Sequence, residues 1–110
     1  HYFIFNLKKS NMKGAQFASL TLDKDKIVQD VFIYFDKSQY SYLLKSLTEK
    51  YYLIGTTRTP EGEEHTYFLE GDCKIILQSP SKKLNQISIR YVSKIGDYLA
   101  GKCNQKLGIY

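Results

Sequence analysis

The chain holds two cysteines, Cys73 at the head of the apolar run Gly71-Asp72-Cys73-Lys74-Ile75-Ile76-Leu77-Gln78 and Cys103 further on. A thiol can act as a nucleophile, ligate a metal or close a disulfide. Nucleophilic attack needs a base beside the sulfur. His65 is the only imidazole to consider, because a chain that starts on His1 and not Met suggests a removed leader or an added residue. Metal ligation fares no better. The one dense group of acids and imidazole, Glu61, Glu63, Glu64 and His65, is short of nitrogen and sulfur ligands and is not an HExxH helix, so a solvated acidic loop is expected there.

The third use fits the pattern of the residues. Strand alternation puts Cys73 on the side of Ile75 and Leu77. Ile95, Leu99 and Cys103 recur every four residues and share one side of a short C-terminal helix, so both sulfurs are expected to face one core. Gly96 and Gly101 each weaken that helix by about 1 kcal/mol relative to Ala. A Cys73–Cys103 bond, closing a loop of 31 residues counted inclusively, would offset this by roughly 3 to 4 kcal/mol in the chain-entropy model. Two buried free thiols are the alternative, natural in a reducing compartment. We expect the disulfide, and with it an oxidising location: periplasm, cell surface or secreted, with a lipid anchor upstream compatible with the reading. A disulfide also forbids a Cys–His catalytic pair.

Other chemistry is not legible. The chain has no Gly-rich phosphate loop, and Asp23-Lys24-Asp25-Lys26 lacks the length and the glutamate of a calcium loop. No enzyme activity, cofactor or metal is expected. A binding surface is therefore the functional reading to develop.

Charge narrows the kind of partner. The formal net charge is +5, unevenly spread: +3 over residues 1–22, −4 over 23–72 and +6 over 73–110. A basic last third could attract phosphate, anionic lipid head groups or an acidic protein, or simply form a solvated face. Single-stranded nucleic acid is the alternative reading, with Phe32, Tyr34 and Arg90 as a stacking platform. Against it, the RNP-like Lys/Arg-Gly-Phe pattern is missing, and Arg58 and Arg90 are the only arginines. The candidate contact residues are Phe32 and Tyr34, ringed by Arg58, Lys82, Lys83 and Arg90.

These residues need elements to hold them. At 110 residues, 43% apolar and 25% charged, the chain suits one domain, 1–110, with one core. No run approaches the roughly 20 apolar residues that span a bilayer. Tyr2 to Leu7 reads as a strand of uncertain place, and Phe17–Leu22 with Ile27–Phe35 as a hairpin. Val31 to Phe35 is apolar on both faces, which suits a central strand covered on both sides or an exposed aromatic stripe.

Asp36 or Ser38 can cap a helix, with Gln39 placed for a capping box. Tyr40, Leu43, Leu44, Leu47 and Tyr51 then form one apolar stripe, predicting a helix over about 38–51. Tyr52–Thr57 can make a short strand, followed by strands over 65–69, 73–78 and 86–92. The expected fold is α+β: an antiparallel, meander-like sheet of about five to six strands, the helix on one face, and the short C-terminal helix.

The order Phe35, then Tyr40, Leu43, Leu44 and Leu47 closing on Leu47-Thr48-Glu49-Lys50-Tyr51, then Tyr67, Ile75, Leu77, Ile87 to Tyr91 and Ser93, resembles small bacterial envelope and lipoprotein-type α+β domains of unknown activity. Those follow Lys-Tyr with Gly and Pro, where this chain has Tyr52 and Leu53. The likeness spans residues 17–94 and implies a fold and a compartment but no reaction. Together these readings point to a non-catalytic protein-binding module of the bacterial envelope. An accessory protein, an inhibitor or an immunity protein would each fit, with a protein or cell-wall component as partner; a homodimer is compatible.

Overall fold

The computed structural model describes residues 2–22, 24–25, 28–71, 73–81 and 86–93. Seven strands form one antiparallel sheet: β1 (Tyr2–Asn6), β2 (Ala15–Leu22), β3 (Val28–Asp36), β4 (Tyr52–Arg58), β5 (Glu64–Glu70), β6 (Cys73–Gln78) and β7 (Gln86–Ser93). Their spatial order is β1-β2-β3-β7-β6-β5-β4. The α+β class stands, but the strand count exceeds the expected five to six. Both edges, β1 and β4, are mostly exposed, so neither carries the alternation that marks a half-buried strand.

Nor is the sheet a single meander. β1-β2-β3 and β4-β5-β6-β7 are separate meanders, joined where β3 pairs with β7 in the middle. The chain must therefore pass from a central strand to the far edge, four strand spacings or about 19 Å away. The helix α1 (Tyr40–Lys50) makes this crossing over one face of the sheet.

The helical stretch covers residues 37–50, close to the 38–51 that the periodicity predicts, but begins differently. A 3-10 turn, Lys37–Gln39, precedes α1, and Asp36 caps that turn by accepting from the Ser38 N–H at 2.9 Å. This contact holds the Asp36 carboxyl below its usual range. Gln39 makes no capping box, since it occupies the N-cap position of α1 without a side-chain cap bond. Its side chain lies instead against Gly14, whose φ is +76° and where a Cβ would fall 2.4 Å from Gln39 Cγ. α1 ends as Tyr51 turns to extended backbone, its N–H still donating to the Leu47 carbonyl.

The core lies beneath α1. Val31, Ile33 and Phe35 of β3, Ile87, Ile89 and Tyr91 of β7, Ile75 and Leu77 of β6, and Phe68 of β5 are all buried, and Leu47 closes over them. Tyr40, Leu43, Leu44 and Tyr51 pack at its margin, so the predicted stripe is the buried side of the helix. Burial pushes the Tyr91 hydroxyl well above its ordinary pKa, with Tyr51 adding to the effect. The expected C-terminal helix and Cys103 lie outside the described residues. No helix among the described residues is long and apolar enough to cross a membrane.

Candidate interaction face

Period-two alternation gives the sheet two unlike faces. Register carries residues opposite one another onto the same face. Phe17 faces Tyr34, Arg90 faces Phe32, and Ile76 faces Arg90. All of these point away from α1. Among the described residues β3 is covered on its helix side, where Val31, Ile33 and Phe35 are buried, and Phe32 and Tyr34 are half-buried on the other side, which no described element covers.

The rings on this face contact one another. Phe17 and Tyr34 stack with centroids 4.4 Å apart, and Phe32 is offset-stacked on Tyr34 at 6.0 Å. The Arg90 guanidinium carbon lies 5.1 Å from the Phe32 centroid. Asp30, two residues before Phe32 and hence on the same face, accepts from Arg90 Nε at 2.8 Å and from its terminal nitrogen at 3.1 Å. Such a two-pronged bond fixes the guanidinium plane and neutralises its charge. Beside it, Phe32, His65, Tyr67, Ile76, Gln78 and Arg90 surround a shallow depression of about 150 Å³. The Tyr67 hydroxyl is 3.2 Å from Thr57 Oγ1, within hydrogen-bond reach.

Of the six residues expected at the contact surface, the structure gathers Phe32, Tyr34 and Arg90. Arg58 is elsewhere. A bulge between Leu53 and Gly55 shifts the parity of β4, so Arg58 falls opposite Glu64, on the helix side, and pairs with it. Lys82 and Lys83 lie outside the described residues. Phe17, Asp30, Ile76 and Tyr67 join the face without having been singled out. For Phe17 and Asp30 the signal was available in the two-residue period of their strands, but their neighbours across the sheet follow only from register.

The other candidate chemistry is dispersed. Cys73 is buried on the helix side with Ile75 and Leu77, while His65 emerges on the opposite face, so these two cannot form a nucleophile–base pair. His65 Nε2 lies 3.5 Å from a Glu63 carboxylate oxygen and makes no hydrogen bond. Glu64 is engaged by Arg58. Among the described residues no three His, Cys, Asp or Glu side chains gather as a metal site would need. Near Glu64, the Tyr40 hydroxyl has its pKa raised, first by burial and then by that carboxylate, against a lowering hydrogen bond with Thr66.

A second feature lies on the helix side, at the β1–β3 end of the sheet, which α1 does not cover and no other described element overlies. Phe5, Leu7, Met12, Leu20, Val31 and Ile33 line an apolar groove there of about 390 Å³. No family model, curated protein or solved structure matches the chain.

Proposed function

We propose that this chain is a non-catalytic protein-binding module of the bacterial envelope, and that the Phe17–Tyr34–Phe32–Arg90 face is its docking surface. The observation that carries the reading is the aromatic ladder itself, half-buried on a sheet face that no described element covers. Rigid rings with polar neighbours are the composition of interface centres, where aromatic side chains and Arg are enriched. Gln78, Ser88 and Tyr67 place donors and acceptors around the rings.

The nucleic-acid alternative is supported by the net charge and by the presence of rings, but two details weigh against it. Phe17 and Tyr34 cover each other's faces and Arg90 covers one face of Phe32, so the surfaces on which bases would stack are partly occupied. Among the described residues, Asp30, Asp36 and Glu63, the last beside His65, offset Arg90 and Lys74 on this side of the sheet. A backbone-tracking groove needs an excess of positive charge.

The envelope location rests on the proposed Cys73–Cys103 bond, whose first member sits buried on the core side. The test is recovery of partners from envelope extract by the wild-type chain, Phe32→Ala and Tyr34→Ala, run beside titration with a single-stranded oligonucleotide at low salt. A protein retained by the wild type and lost from both variants is the expected result. Equal recovery by all three, or tight oligonucleotide binding that falls steeply with salt, would overturn it.

A further inference from the structure

The two edges of the sheet are unlike. β4 carries the devices that blunt an edge: a bulge after Leu53, Gly55 at the bulge, and the Arg58–Glu64 pair at its end. β1 carries none of them. Its five residues, Tyr-Phe-Ile-Phe-Asn, include no charge, proline or glycine and pair with β2 in unbroken register. Phe3, Ile4 and Phe5 are 45%, 61% and 50% exposed.

The phase of the backbone is also fixed. Leu7 N–H donates to the Gln16 carbonyl at 2.9 Å, so by the alternation of an antiparallel ladder the backbone groups of Leu7, Phe5 and Phe3 turn inward to β2. Those of Tyr2, Ile4 and Asn6 turn outward.

We infer that a second copy of this chain pairs at this edge, β1 against β1, antiparallel about a two-fold axis through Ile4. In that register each outward residue meets an outward residue: Ile4 faces Ile4, and Tyr2 faces Asn6. Every outward N–H and C=O of the strand then has a partner. A pairing centred on Phe3 or Phe5 would leave one outward residue unmatched.

The strand suits its own copy. Phe3 and Phe5 flank Ile4 symmetrically, so Phe3 of one protomer lies opposite Phe5 of the other, on the helix side. There each pair adjoins the groove of Phe5, Leu7, Met12 and Leu20, and the two grooves merge into one apolar trough across the axis. Side-chain burial is thereby added to the backbone pairing, as an interface of stable size requires. Charge does not oppose the contact. Lys8 and Lys9 follow the strand, so those of the two copies leave opposite ends of the ribbon, further apart than the ~14 Å between the two Asn6 residues and beyond a Debye length of about 8 Å. Because the axis is perpendicular to the sheet, both aromatic faces point the same way, and the dimer presents its docking surface twice.

Sedimentation of the full chain tests this, with circular dichroism confirming that each variant is folded. The wild type is expected at twice the mass of one chain. Ile4→Lys and Ile4→Glu, each placing like charges opposite one another on the axis, are expected at half the wild-type mass, and an equal mixture of the two should recover the dimer. Ile54→Lys, on the other edge, should leave the mass unchanged. A wild type that stays monomeric at its highest soluble concentration, an Ile4→Lys chain that remains dimeric, or a mixture that fails to reassociate would each overturn the inference.

Discussion

Arg90 stands across the β3–β7 seam from Phe32, its guanidinium over the ring at 5.1 Å and held there by both oxygens of Asp30. β3 and β7 are the strands at which the two meanders join, so this contact ties the two parts of the fold together as well as shaping the face.

Asp30→Ala is therefore expected to act in two ways. Loss of a two-pronged, partly buried pair costs about 1 kcal/mol, measured by urea unfolding. Freed of its counter-charge, Arg90 also shifts the face by one unit toward positive, so affinity for a single-stranded oligonucleotide at low salt should rise. Unchanged oligonucleotide binding would mean that Asp30 is not what keeps the surface neutral.

Gly14 is the second position where geometry dictates the residue. Its φ of +76° already disfavours a side chain, and a Cβ there would meet Gln39 Cγ at 2.4 Å. Gly14→Ala should cost roughly 1 to 2 kcal/mol from conformation alone, with more from the clash. Gln39→Ala in the same chain should return the steric part and leave the conformational part. If the second substitution returns nothing, the clash relaxes without cost.

How far the sequence led depends on whether an element's signal was local. The α1 stripe and the alternation of Ile87, Ile89 and Tyr91 lie within single segments, and both mark buried surfaces in the structure. The pairing of β3 with β7 joins residues about sixty positions apart and has no local signature, so the join between the meanders was out of reach. Tyr2 to Leu7 and Tyr52 to Thr57 read as strands from their residue types, but their place at the two edges could not be read, because β1 and β4 bury little and the two-residue period records burial. Arg58 shows how much one residue matters. The bulge after Leu53 inserts a single position and turns the side chain from the aromatic face to the helix face. The ring-bearing face could be guessed from Phe32, Tyr34 and Arg90, but its neutrality could not, because it depends on Asp30 meeting Arg90 across strands.

Tyr91 makes the stability sensitive to alkali. Its buried hydroxyl ionises far less readily in the folded chain than at the ordinary value near 10. For a group whose folded pKa is raised, the stabilisation is complete below the unfolded pKa and is lost as pH rises above it, because only the unfolded chain releases the proton. Stability should fall above pH ~10 by up to about 1.4 kcal/mol per pH unit for this one hydroxyl. Tyr91→Phe removes that component, so its urea midpoint should decline less steeply with pH than the wild type's. Parallel declines would place the alkaline sensitivity elsewhere, with Tyr40, shifted in the same direction, next to be tested.

The envelope location proposed above rests on the proposed Cys73–Cys103 bond. Cys73 is 4% exposed and stands at the start of β6, on the side of Ile75. A bond to Cys103 would close a loop whose loss costs about 3 to 4 kcal/mol. Native protein prepared without reductant should then show no titratable thiol even after unfolding, and its intact mass should rise by two hydrogen atoms on reduction. Cys103→Ser should lower the urea midpoint under oxidising conditions and leave it close to that of the reduced wild type when reductant is present. The comparison under reductant separates the cross-link from side-chain packing, since a cysteine that matters only as an apolar filler would make the substitution costly in both conditions. Two thiols available in unreduced, unfolded protein would remove the cross-link and, with it, the support for an envelope location.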